Sequence, residues 1–158
     1  MPDEIVDKVC ETSDVVVNFE HEILRGRILF EPKYGILSFH SGDVRKYRGR
    51  PAAFWQFING ENEIGVTLQR LTDDLDGGFP IVIKSADISD ASTYWEVKVK
   101  QNRLYDDMLV EGIRLIQDPD FSIERPDELG DLTRQEDIEV WRNTGRLVLK
   151  DILGRVTK

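Results

Sequence analysis

The sequence is poor in the residues that build disulfides, thiolate metal sites and membrane spans. A single cysteine, Cys10, excludes an internal disulfide framework and a cysteine-based zinc site. It falls on the apolar side of a predicted helix and reads as core filler rather than a nucleophile. No apolar run approaches the roughly 18 residues that cross a bilayer. The N-terminus, MPDEIVDK, is acidic and lacks the basic start and apolar core of a signal peptide. The expected compartment is the cytoplasm. Positive charge is scarce as well: 21 Lys and Arg stand against 30 Asp and Glu, for a net charge of −9 and a pI near 4.8. That balance argues against sequence-independent binding of nucleic acid or of an anionic membrane surface. There is no glycine-rich phosphate loop, no internal repeat and no low-complexity tract. What remains, 40% hydrophobic and 32% charged over 158 residues, suits a globular chain long enough for one core.

Asp3 to Thr12 places Ile5, Val6, Val9 and Cys10 at helical spacing. Asp14 to Phe19 is a β-branched run, the pattern of a strand buried on both faces of a parallel sheet. Glu22 to Phe30 predicts a short helix stopped around Pro32. Gly35 opens a strand over Ile36–Phe39, with His40 at its carboxyl end, where open α/β sheets bind ligands. Pro51 suits the first turn of a helix through Asn59, terminated by Gly60. Gly65–Leu71 and Ile81–Ile88 predict two more strands around an acidic loop, Thr72–Gly78. Ser89-Asp90 is expected to cap one long amphipathic helix to about Ile116, carried by Val97, Leu104, Met108, Leu109, Ile113 and Leu115. Asp118–Gln135 has no period and reads as an extended loop, and Glu136–Leu153 as a final helix. Helix–strand alternation at the start implies a parallel α/β sheet.

The most informative stretch runs from Ile36 to Val82. The run Ile36-Leu37-Ser38-Phe39-His40 is followed by a Tyr47-Arg48-Gly49 turn, an aromatic helix, Gly65-Val66-Thr67-Leu68 and the acidic Leu75-Asp76-Gly77-Gly78. This order resembles the catalytic half of the 10-formyltetrahydrofolate-dependent formyltransferases, the family of glycinamide ribonucleotide transformylase, methionyl-tRNA formyltransferase and the sugar N-formyltransferases. The likeness covers residues 14–116 well and the C-terminal segment, with Leu129-Gly130-Asp131-Leu132, loosely. It implies an α/β, Rossmann-like formyltransferase fold: the C-terminal part of a mainly parallel sheet flanked by helices, truncated at the N-terminus by two or so βαβ units. Residues 1–116 would form a partial catalytic domain, and 117–158 an extended loop plus helix packed on it.

The resemblance also implies a reaction. In the family the strand ends in Asn-x-His: the asparagine polarises the formyl oxygen, the histidine assists proton transfer, and a later aspartate orients the histidine. Carried over, His40 and Asp76 are catalytic, with Ser38 at the asparagine position. Leu71, Thr72, Asp73, Asp74, Leu75 and Gly77 would lie beside the pteridine of the folate. The implied activity is transfer of a formyl group from 10-formyltetrahydrofolate to a primary amine, a one-carbon transferase with folate and an amine-bearing acceptor as partners, without a metal, nucleic acid or membrane.

A hydroxyl is shorter than the amide and carries one donor hydrogen instead of two, and losing one oxyanion donor typically costs on the order of 10²–10³ in turnover. A catalytically impaired folate-binding or regulatory homologue is therefore the second reading. One part of a split or truncated enzyme is the third, its unpaired strand Val15–Phe19 docking a second copy or a separately encoded N-terminal half. Gly42-Asp43-Val44-Arg45 replaces the family's Ser-Leu-Leu-Pro, so Asp43 adds a charge near His40 without an assigned role. Thr72-Asp73-Asp74 has no accompanying histidine and reads as a solvated loop or helix cap. Arg45, Lys46, Arg48 and Arg50 suit either an anionic ligand or hydrogen bonding within the turn. The spacing of Phe54, Trp55 and Phe57 predicts core.

Overall fold

The computed structural model describes residues 1–19, 23–49, 51, 53–133 and 140–156. Its elements are α1 (Asp3–Thr12), β1 (Val16–Asn18), β2 (Ile36–His40), β3 (Tyr47–Gly49), α2 (Phe54–Asn59), β4 (Glu63–Arg70), β5 (Phe79–Asp87), α3 (Tyr94–Arg103), α4 (Met108–Gln117), β6 (Asp131–Thr133) and α5 (Val140–Val156). The central sheet has the order β1-β2-β4-β5, and β3 pairs with β6 in a second, two-stranded sheet.

The α/β class is as read from the sequence, with different strand directions. β1 and β2 are parallel, but β2–β4 and β4–β5 are antiparallel. The loop between β4 and β5, residues 71–78, is short enough to join a hairpin, whereas a parallel pair needs a crossover of a dozen or more residues. β1 is not buried on both faces. It is the outer strand, its three residues are half-buried, and Phe19 beyond it is 69% exposed.

Alternation along β2 and β4 divides the sheet into two faces. Leu37, Val66 and Leu68 face α4 and pack with Met108, Ile116 and Val82. Each such buried side chain contributes about 1.5–3 kcal/mol over its exposed state. A methyl group at Gly112 of α4 would come within 2.2 Å of the Leu68 side chain, so glycine there sets how closely helix and sheet approach. The opposite face is apolar at the Ile36 end, where Val6 of α1 joins Ile28 and Leu29.

Tyr47–Gly49, expected as a turn, is the strand β3, and three further segments differ from the sequence expectation. Within Glu22–Phe30 the described residues form a single 3-10 turn, Arg27–Leu29, because Gly26 adopts φ 82° and breaks the helical path; Glu22 lies outside the described residues. Arg27 nonetheless anchors this turn to α1 through Asp3 and Asp7, at 3.2 and 2.8 Å. The long helix expected from Ser89-Asp90 is two helices. α3 starts later, at a capping box in which Thr93 Oγ1 accepts from the Glu96 N–H while Glu96 accepts from the Thr93 N–H. The chain then turns at Asp107, φ 59°, before α4. Finally, the stretch expected to be loop contains β6, parallel to β3.

Candidate active site

On the sheet face opposite α4, the apolar end around Ile36 gives way to polar residues. Ser38 and His40 are two apart on β2 and so share this face. Their register partners on β4 are Gln69 and Thr67, and Ser38 is flanked on the other side by Asn18 of β1. His40 is buried at 6% exposure and Ser38 is half-buried.

The loop after β2 folds back over this face. Thr67 Oγ1 donates to the Gly42 carbonyl at 2.7 Å and accepts from the Val44 N–H at 3.3 Å. Gln101 Nε2 donates to the Ser41 carbonyl at 3.0 Å, and the Ser41 and Tyr105 hydroxyls are 2.7 Å apart. Asp43 organises the turn: its carboxylate accepts from the Arg45 guanidinium at 2.9 and 2.7 Å and from the Arg45 backbone N–H at 3.0 Å. Burial pushes the Asp43 carboxyl up, but Arg45 and the charge of Lys46 outweigh it and hold it below the usual carboxylate range. The basic run serves the turn as well, with Lys46 on Glu63 and Arg48 Nε on the Gly130 carbonyl. Arg50 lies outside the described residues.

His40 is held on both sides. Nε2 lies 2.9 Å from the Tyr47 carbonyl oxygen, and Nδ1 lies 3.6 Å from Asp76 Oδ1. A carbonyl oxygen only accepts, so Nε2 carries the hydrogen. In the neutral ring Nδ1 then keeps the lone pair, and a proton arriving there faces a carboxylate. Asp76 sits at φ 46°, and its Oδ2 accepts from the Gly49 N–H at 3.1 Å. Burial works against the charged form of Asp76, but the interaction with His40, the Gly49 N–H and the nearby charge of Arg48 prevail and lower its pKa. A buried histidine backed by an ionised aspartate can take up a proton and stabilise the resulting imidazolium.

The remaining predicted residues form the β4–β5 loop that carries Asp76. The Leu71 N–H donates to the Ile36 carbonyl at 2.8 Å, and its side chain joins the α1 cluster. Thr72 Oγ1 accepts from the Asp74 N–H at 3.3 Å, and Asp74 pairs with Arg125 at 2.7 Å. Asp73 and Leu75 are exposed, and Gly77 is buried, closing the turn onto the Asp74 carbonyl at 3.2 Å. Leu71 and Thr72 border a cavity of about 150 Å³ with Leu29, Gly35, Arg70 and Phe79. A larger cavity of about 580 Å³ lies elsewhere, between Lys46, Trp55, Asn59 and Thr133. The linings of both exclude Ser38, His40 and Asp76. Phe54 and Phe57 are core as expected, whereas Trp55 is half-buried at the larger cavity.

Sequence reasoning missed Gln69, Thr67 and the Tyr47 carbonyl. The polar residues Thr67 and Gln69 alternating within an otherwise apolar strand were the available signal; a backbone acceptor leaves none.

A family model described as Formyl transferase matches residues 1–113. The chain belongs to the formyl transferase family. A methionyl-tRNA formyltransferase from Fusobacterium nucleatum is 26% identical over 145 residues, covering 89% of this chain and 47% of the relative. The chain thus spans about half the length of that curated relative. Among solved structures, an uncharacterised protein from Mycobacterium tuberculosis superposes with a TM-score of 0.70 at 22% identity, over 96% of this chain and 68% of that one. An N-formyltransferase from Helicobacter canadensis, solved with folinic acid and dTDP-3-aminofucose, gives 0.61 at 18% identity, over 84% and 49% of the two chains. At these identities the superpositions speak for the fold alone, which they share with this member of the formyl transferase family.

Proposed function

We propose that this chain carries the proton-transfer centre of a formyl transfer from 10-formyltetrahydrofolate to a primary amine. The observation that carries the reading is the His40–Asp76 pair at the end of β2, with His40 Nε2 committed to the Tyr47 carbonyl. The amine nitrogen attacks the formyl carbon, and the carbonyl electron pair moves onto oxygen. Nδ1 of His40 takes the proton from the amine, and Asp76 balances the charge on the ring. The bond to the folate nitrogen then breaks, that nitrogen recovers the proton, and the formamide and tetrahydrofolate leave. Ser38, on the same face as His40, offers one hydroxyl donor to the developing oxyanion. The β4–β5 loop from Leu71 to Gly77 is the folate-facing wall in this reading. A second copy of the chain belongs to the same reading, docked on the outer strand β1.

Titration with a folate ligand, followed by tryptophan fluorescence and backbone amide NMR, tests the assignment. Shifts concentrated at Ser38–His40 and Leu71–Gly78 are expected. Shifts confined to α5, or no binding at millimolar ligand, would refute it.

A further inference from the structure

Gln69 is 2% exposed, and its Oε1 is fully buried without a hydrogen-bond partner among the described residues. Leaving a buried amide group unpaired costs about 1–3 kcal/mol, so its hydrogen-bonding capacity is left for something outside the chain. Three features aim it at the site. Gln69 stands opposite Ser38 in the β2–β4 register, so the two share a face with Cβ atoms about 4.5–5.5 Å apart. The β4–β5 pairing is irregular at this point: Leu68 pairs with Val82 and Gln69 with Pro80, leaving Ile81 unpaired, and such bulges re-aim neighbouring side chains. Gln69 Oε1 reaches beneath Gly78 of the loop that carries Asp76, where a methyl group would lie only 3.0 Å from it. Two residues before Gly78 is Asp76, the counter-charge to His40.

We infer that Gln69 is a catalytic residue, its carboxamide N–H donating to the formyl oxygen as that oxygen becomes an oxyanion. The inference rests on the formyl-transfer reading above. It places a carboxamide across the strand from Ser38, supplying the longer donor that the serine hydroxyl lacks. The two ends of a primary amide interchange by rotation of its terminal torsion, so the spot now held by Oε1 can present N–H to a ligand. In the reaction the amide moves no proton: the amine proton goes to His40 Nδ1 and on to the folate nitrogen, and Gln69 holds the charge on oxygen between these steps.

The test uses a hydrolysis-resistant 10-formyl folate analogue labelled with carbon-13 at the formyl carbon, bound to the full chain and read by isotope-edited infrared spectroscopy. In the wild type the formyl C=O stretch is expected below that of the Gln69→Met complex, because a donated hydrogen bond weakens the carbonyl bond. Gln69→Met should leave the free protein as thermally stable as the wild type or more so, since it removes an unpartnered polar group. A purely structural glutamine would instead give a lower Tm and an unmoved stretch, and that result overturns the inference. Gln69→Leu, close in volume, removes the donor without leaving a titratable group in its place; a stretch unchanged in this variant overturns the inference even if Gln69→Met fails to fold. Absence of analogue binding by the wild type defeats the formyl-transfer reading itself, whereas binding with equal stretches in all three proteins defeats only the role of Gln69. Where an amine acceptor gives turnover, Gln69→Met is expected to lower it on the order of 10²-fold.

Discussion

His40 Nδ1 lies 3.6 Å from Asp76 Oδ1, and the other nitrogen of the same ring lies 2.9 Å from the Tyr47 carbonyl. Asp76 is in turn held by the Gly49 N–H, two residues from Tyr47 on β3. One short strand therefore fixes the ring from one side and its carboxylate from the other. Asp76→Asn keeps an acceptor for the Gly49 N–H but removes the charge that favours the imidazolium. It should lower formyl-transfer turnover by roughly 10²–10⁴, the usual contribution of a positioned acid–base group, and His40→Ala should do the same. The two losses should not add, because the residues act as a unit. Tetrahydrofolate release from the 10-formyl donor in the presence of an amine is the readout; full turnover in Asp76→Asn would take the aspartate out of the proton path.

Asp43 and Asp76 both have carboxyl groups held below their usual range in the folded state. A depressed folded pKa gives stability that is complete above the unfolded value, about 3.9 for aspartate. That stability is lost as the pH falls through the lower folded value. The wild type should accordingly lose stability steeply below about pH 4. Asp43→Asn should flatten that acid limb and cost about 1–2 kcal/mol near neutral pH, since the Arg45 guanidinium loses its charged partner. Urea unfolding midpoints measured from pH 7 down to pH 2 check this. Parallel acid limbs in the wild type and the variant would mean that Asp43 is ordinary in the folded state.

The path from Ile36 to Asp76 was legible because each step rests on local rules. An apolar run ended by histidine makes a strand end, Gly60 ends α2 in the left-handed conformation, and glycines beside Asp76 make a tight turn. What was not legible depended on distant partners. The break between α3 and α4 follows from Asp107 and from Tyr105 reaching Ser41, more than sixty residues away, while the local apolar spacing continued as if unbroken. β6 is three residues long and exists through its pairing with β3. The parallel pairing of β1 and β2 is as expected, but the directions of β4 and β5 were misjudged because the helix–strand alternation of the first segments does not continue into the hairpin. Gln69 went unnoticed because its interest lies in lacking a partner, which only the packed fold reveals.

Gly49 and Gly60 separate two costs of replacing glycine. Both have positive φ, 89° and 75°, but Gly60 has nothing within 4 Å of an added methyl group, whereas at Gly49 that group would lie 1.8 Å from the Thr133 carbonyl oxygen. Gly60→Ala should cost only the left-handed backbone penalty, about 1–2 kcal/mol. Gly49→Ala must also part β3 from β6, and about 3 kcal/mol or more is expected. Because β3 supplies both the Tyr47 carbonyl and the Gly49 N–H, Gly49→Ala should also impair the His40–Asp76 pair. Thermal unfolding of the two variants gives the comparison, and equal losses would show that the β3–β6 contact is loose.

β1 leaves the sheet with an unpaired edge among the described residues. Val16, Val17 and Asn18 are half-buried, and the exposed Phe19 stacks on Phe39 with ring centroids 6.0 Å apart. An open edge with an adjoining aromatic surface tends to be covered by another chain. The expected state is a dimer. The net charge of −9 makes two copies repel, so salt that screens this repulsion should strengthen self-association. Val17→Lys, placing a charge at the centre of the edge strand, should weaken it at every salt concentration. Sedimentation across a salt series measures this directly. A compact monomer throughout, with slow amide exchange over Val16–Asn18, would mean that the chain protects this edge by itself.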